Sequence, residues 1–110
     1  MKYEVLVADD HAIIRDGLKK ILADTDDLVV AGEAANGTAV MDLIRARDWD
    51  LLVLDLSMPG RSGLDLIRLI KAEKPKQAIL IFSMHHEEQY AVRAIRAGAS
   101  GYLSKEGDSD

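Results

Sequence analysis

The chain has no cysteine among its 110 residues. Disulfide bridges and thiolate chemistry are excluded, and the composition fits a reducing compartment. It also lacks any block of Lys and Arg, its net charge is −5 and its pI is about 5.1. A chain of this charge is not expected to hold nucleic acid or an acidic membrane by itself. The longest apolar stretch, Ala78 to Met84, falls far short of a membrane span. Met1-Lys2-Tyr3-Glu4 has no signal-peptide pattern, so a cytoplasmic address and no membrane partner are expected. No internal repeat, low-complexity tract or linker interrupts the chain. With 48% hydrophobic and 30% charged residues it reads as one soluble globular domain over residues 1–110 with a modest core.

What is present is an alternation of strand-like and helix-like segments. Tyr3 to Ala8 is a short apolar run that reads as a buried strand, followed by Ile14, Leu18, Ile21 and Leu22 at helical spacing. Leu28 to Ala35 reads as a second strand, broken by Asn36-Gly37, with Val40, Leu43 and Ile44 marking a second helix. Leu51 to Asp55 is a third strand whose unbroken apolar character implies cover on both faces. Pro59-Gly60 is a turn. Ser62 with Asp65 resembles a capping box for a third helix through Leu66, Ile67 and Ile70, which must end before Pro75. Ala78 to Phe82 is a fourth strand. Glu87 and Glu88 suit the first turn of a fourth helix, Gly98 its C-terminal cap, and Gly101 to Ser104 a fifth strand. The order is βα four times, then a last strand and an acidic tail, which argues for an α/β fold with a parallel sheet and helices on both faces.

Four of the five strands deliver a polar group at the carboxyl end. The first ends in Asp9-Asp10, the third in Asp55, the fourth in Ser83, and the fifth runs into Lys105. Taken singly, each has a plain structural reading. Asp9-Asp10 can be a helix cap, with Asp10 directly before the first helix. Ser83 can be a turn residue and Lys105 a solvated surface charge. Jointly they mark one site, because ligands of open α/β sheets bind outside the carboxyl ends of the strands. Three carboxylates close together repel unless a cation sits among them, and Mg²⁺ accepts one or two carboxylates, waters and a phosphate oxygen. A carboxylate can also be the nucleophile toward phosphorus, with metal, ammonium and hydroxyl stabilising the transferred group. His11, His85 and His86 do not have zinc-site spacing and read as surface residues. Trp49 reads as a packing residue at the sheet's amino end, and Met58-Pro59-Gly60 as loop geometry.

These motifs carry a resemblance over nearly the whole chain. Asp9-Asp10, Asp55 in Asp-Leu-Ser-Met-Pro-Gly-Arg-Ser-Gly, Ser83, Tyr102 and Lys105 are similar to the receiver domain of two-component response regulators. Asp-Asp-His at 9–11, Phe-Ser-Met-His at 82–85 and Arg-Ala-Gly-Ala-Ser-Gly-Tyr-Leu-Ser-Lys at 96–105 resemble the NarL/FixJ (LuxR-type) subfamily. The resemblance implies a doubly wound, five-stranded parallel sheet of flavodoxin-like, CheY-like topology, strand order 2-1-3-4-5. It implies that Asp55 accepts a phosphoryl group from a histidine kinase with Mg²⁺ as cofactor. Asp10 and Asp55 would bind the metal directly, Asp9 through water, and Ser57 by its backbone carbonyl. Ser83 and Lys105 would hold the phosphoryl group, and Tyr102 would swing as Ser83 moves.

It further implies a signalling switch rather than an enzyme, catalysing only its own phosphorylation and dephosphorylation. The parent protein would add a DNA-binding helix-turn-helix domain that controls transcription. The receiver would be cut before its fifth helix, leaving apolar surface of the third, fourth and fifth strands uncovered and favouring self-association. Two departures stand out: Glu106 occupies a position where many receivers have proline, and Met84 is bulkier than the usual small residue. The rivals are an aspartate-nucleophile phosphatase, whose second Asp would stand where Ser57 is, and a pseudo-receiver that only binds partners.

Overall fold

The computed structural model describes residues 2–56, 58, 62–83 and 88–104, with residues 88–90 and 104 described by their backbone alone. Five strands alternate with four helices: β1 (Tyr3–Ala8), α1 (Ala12–Ala23), β2 (Leu28–Ala34), α2 (Gly37–Ala46), β3 (Leu51–Leu54), α3 (Gly63–Glu73), β4 (Ile79–Ser83), α4 (Glu88–Ala97) and β5 (Gly101–Ser104). All pairings are parallel, and the sheet order is β2-β1-β3-β4-β5. The chain therefore runs outward from β1 to β2, then crosses back over β1 to β3. That reversal opens a crevice between the carboxyl ends of β1 and β3.

The strands show their two-residue period in how they pack. Leu6 and Ala8 of β1, Leu52 and Leu54 of β3, and Ile79 and Ile81 of β4 point to one face. There they meet Val40, Met41 and Ile44 of α2, Leu66, Ile67 and Ile70 of α3, and Ala94 of α4. Val5, Val7 and Val53 point to the opposite face, where Leu18 and Leu22 of α1 pack on them. Trp49 lies against the three-helix core and its indole N–H donates to the Leu43 carbonyl at 2.9 Å. A Cβ at Gly32 would come within 2.5 Å of that indole, so only glycine lets β2 run past it.

Helix ends agree with the sequence expectations in part. Asn36 caps α2, its side chain accepting from the Ala39 amide at 2.8 Å. Gly98 ends α4 at φ +123°, with Gly98 N–H donating to Ile95 and Ala99 N–H to Ala94, a Schellman closure. The capping box at α3 does not form. Ser62 occupies the cap but its side chain makes no capping hydrogen bond, and Asp65 faces Arg68 at 3.3 Å instead. The cap of α1 is His11, not Asp10. Ile21, expected on the packed face of α1, is 63% exposed.

Ion pairs fasten the helices at their rims. Arg45 of α2 grips Glu73 of α3 with two nitrogens, at 2.8 and 2.6 Å. Arg15 and Lys19 of α1 both reach Glu33 of β2, at 3.0 and 2.9 Å. Hydrogen bonding from Lys19, helped by Arg15 against the cost of burial, holds the Glu33 carboxyl below its ordinary range.

Candidate functional site

The crevice between β1 and β3 is lined by carboxylates because both strands end in Asp at the same level. Asp9 continues β1, its N–H donating to the Ala34 carbonyl at 3.0 Å, and Asp55 continues β3, its N–H donating to the Ala8 carbonyl at 2.9 Å. The ladder thus fixes the backbone of both residues. Asp9 is 2% exposed and Asp55 1% exposed. Asp10 follows at the mouth and is exposed. One ligand atom from each of Asp9, Asp10, His11 and Asp55 falls within 4.8 Å of the others.

His11 belongs to this group, contrary to its reading as an uninvolved surface residue. Its N–H and its ring Nδ1 both meet Asp9 Oδ1, at 2.8 and 2.9 Å, and Nδ1 lies 3.1 Å from Asp10 Oδ1. The contact from Asp9 to the amide two residues on is an Asx-turn. That turn folds the imidazole back onto the acidic pair, although 60% of the side chain stays exposed. A short side-chain acceptor two residues ahead of a helix start was the signal that could have found it. Arg15, one turn into α1, also went unremarked; its guanidinium donates to the Asp9 carbonyl at 2.5 Å. It ties α1 to the strand end that carries the acidic pair.

Ser83 is fully buried at the end of β4, beside Ser104 of β5 in register. Asp55 follows Leu54, which pairs with Ile81, so the ends of β3 and β4 are adjacent along the same edge. Tyr102 pairs with Ile81 and packs, half-buried, against the three-helix core. Met58 is buried in the same core below the edge. Ser57, Pro59, Gly60, Met84, His85, His86, Glu87, Lys105, Glu106 and the rest of the acidic tail lie outside the described residues.

The donor set is hard oxygen with one imidazole nitrogen, gathered where two buried carboxylates gain most from a cation. Hard divalent ions such as Mg²⁺ fit oxygen donors of this kind, and Asp9, Asp10 and Asp55 are the residues that can hold one.

A doubly wound sheet with an acidic pocket at its carboxyl edge defines the class, and comparison with known proteins specifies it. The response regulator receiver domain model matches residues 5–110. The nitrate/nitrite response regulator protein NarL of Escherichia coli strain K12 is 37% identical over 102 residues, covering 93% of this chain and 47% of that protein. The response regulator UvrY of Escherichia coli O6:H1 is 38% identical over 101 residues, covering 92% of this chain and 46% of UvrY. Among solved structures, a LuxR-family two-component response regulator from Aurantimonas sp. SI85-9A1 superposes with a TM-score of 0.92 at 34% identity, covering 98% of this chain and 77% of that one. The isolated receiver domain of RcsB from Salmonella enterica serovar Typhimurium gives 0.90 at 30% identity, covering 97% and 80%. The chain belongs to the response regulator receiver domain family, with transcription regulators of the NarL type among its relatives. It spans about half the length of the curated relatives it matches, 47% of NarL and 46% of UvrY.

Proposed function

We propose that this chain is the phosphoacceptor switch of a two-component response regulator, taking a phosphoryl group from a histidine kinase onto Asp55. The convergence of Asp9, Asp10 and Asp55 within 4.8 Å at the carboxyl edge carries the reading. A carboxylate oxygen of Asp55 attacks phosphorus; an O–P bond forms as the donor's bond to phosphorus breaks, giving an acyl phosphate. Asp10, Asp55 and the Ser57 carbonyl would hold Mg²⁺, with Asp9 acting through water. When bound, Mg²⁺ supplies positive charge against the carboxylates and the phosphoryl oxygens. The Ser83 hydroxyl donates to a phosphoryl oxygen and the Lys105 ammonium pairs with the group. Tyr102, half-buried beside Ile81 in the sheet, follows Ser83 between two positions. The module turns over its own phosphoryl group and has no external product, so it is a signalling domain rather than an enzyme.

The whole of residues 1–110 is one receiver domain, and its output is a DNA-binding helix-turn-helix domain of the parent protein. RcsB, a structural neighbour at 29% identity with a TM-score of 0.89, has been solved bound to a promoter, which supports that output. No described helix is long and apolar enough to cross a membrane; a cytoplasmic site of action is part of the proposal. So is self-association through the α1 side of the sheet, where Ile13, Ile21 and Leu103 are exposed.

Acetyl phosphate followed by mass spectrometry tests the central step. One added phosphoryl group is expected on the native chain and none on Asp55→Asn; undiminished labelling of the variant overturns the assignment. Turnover of a phosphomonoester would instead favour a phosphatase. Metal roles are tested by calorimetry: Asp10→Ala should weaken Mg²⁺ binding more than Asp9→Ala, and equal or reversed losses would contradict the ligand assignment.

A further inference from the structure

His11 is not needed for the chemistry above, yet its ring nitrogen stands inside the carboxylate group. Nδ1 lies 2.9 Å from Asp9 Oδ1 and 3.1 Å from Asp10 Oδ1. The main chain sets that placement: His11 is the cap of α1, with φ −101° and ψ 111°, and its N–H is held by Asp9. We propose that His11 makes the acidic pocket a mixed nitrogen–oxygen site that takes Zn²⁺ in competition with Mg²⁺. The proposal rests on the reading of this pocket as the divalent-cation site.

The physical argument is one of donor type and size. Mg²⁺ prefers carboxylate, carbonyl and water oxygens, and gains little from an imidazole. Zn²⁺ takes imidazole nitrogen and carboxylate oxygen together, at about 2.0–2.2 Å in a four-coordinate shell. In a tetrahedral shell, donors at that distance from the ion lie about 3.4 Å apart. The four donor atoms here fall within 4.8 Å of one another, so the widest pair must close by about 1 to 1.5 Å to reach that spacing. His11 is exposed and can make that movement by side-chain rotation. Asp9 and Asp55 are held in the ladder and supply a fixed base. Zn²⁺ seated there occupies the carboxylates that Mg²⁺ would use, so the pocket would read the ratio of the two ions.

Calorimetry of the 110-residue chain with Mg²⁺ and, separately, with Zn²⁺ tests this in a non-coordinating buffer. Wild type, His11→Ala and the double variant His85→Ala/His86→Ala are compared. His11→Ala is expected to weaken Zn²⁺ about tenfold or more while changing Mg²⁺ less than about twofold, as donor preference requires. The double variant is expected to bind both ions as wild type does. Co²⁺ provides a spectroscopic check, its visible band shifting between wild type and His11→Ala. Zn²⁺ affinity indifferent to His11, equal losses of both ions, or a loss carried by the double variant would overturn the inference. If Mg²⁺ itself fails to bind the wild-type chain, the cation reading of the pocket falls rather than the role of His11 alone.

Discussion

The two faces of the sheet are built to different standards. The face under α2, α3 and α4 is a closed apolar core in which Ile44, Leu66, Ile67, Ile70, Ile79 and Ile81 are nearly or fully inaccessible. The face under α1 buries only Val5, Val7 and Val53 among the described residues, and α1 buries none of its own. Leu80 and Phe82 of β4 are half-buried there, Leu103 of β5 is 53% exposed, and Ile13 of α1 is 84% exposed. Of the third strand, expected to be uncovered, Val53 is buried with the α1 cluster, while Leu51 is half-buried like Leu80 and Phe82. One face therefore supplies most of the stability, and the other keeps an apolar surface accessible. The site sits where the two meet. Asp9 and Asp55 are fixed by the sheet, whereas Asp10 and His11 lead into the less buried helix.

The sharpest way to test this asymmetry is to cut matched side chains on the two faces. Ile67→Ala, in the closed core, is expected to destabilise by about 3 kcal/mol, whereas Ile21→Ala on α1 should fall within about 0.5 kcal/mol. Urea unfolding of both variants measures the gap, and equal losses would erase the distinction between the faces.

A smaller effect is expected at the open surface. If apolar exposure on β5 drives association, Leu103→Lys should weaken self-association by about tenfold, roughly 1.4 kcal/mol. Its unfolding midpoint should stay near that of the native chain. Sedimentation over a concentration series reads this directly. A native chain that stays monomeric throughout would remove self-association from the proposal.

The smallest effect belongs to the ion pairs that fasten α1 to β2. Glu33 is partly exposed, so Glu33→Gln should cost less than about 1 kcal/mol at neutral pH. The sign of its pH dependence follows from a folded pKa that lies below the ordinary carboxylate value. The contribution is complete above that ordinary value and is lost as pH falls through the lowered one. Lys19, raised chiefly by its hydrogen bond to Glu33, works in the opposite sense: its contribution is present at neutral pH and lost only in strong alkali. The native chain and Glu33→Gln should therefore converge in stability in acid. A difference that persists at low pH would show that Glu33 acts through packing instead.

Much of this molecule was legible in one dimension. Period and punctuation located all five strands and four helices, because each element must bury an apolar stripe and stop at a turn residue. The acidic edge was legible too, since parallel strands carry their carboxyl ends to one side. Details that depend on neighbours distant in sequence were not. Ser62-x-x-Asp65 has the pattern of a capping box, but the Ser62 side chain makes no capping hydrogen bond and Asp65 pairs with Arg68 instead. Ile21 has the spacing of a packed residue, yet whether a helix face is covered depends on what lies across the sheet. The need for glycine at position 32 shows only when Trp49, from the connection before β3, is found against it. The clearest case is His11, a surface histidine by composition and spacing. An Asx-turn returns its ring to Asp9, and the β1–β3 pairing brings Asp55 alongside. Periodicity records which side of its own element a residue takes. Only the packing of elements against one another decides which groups share a site.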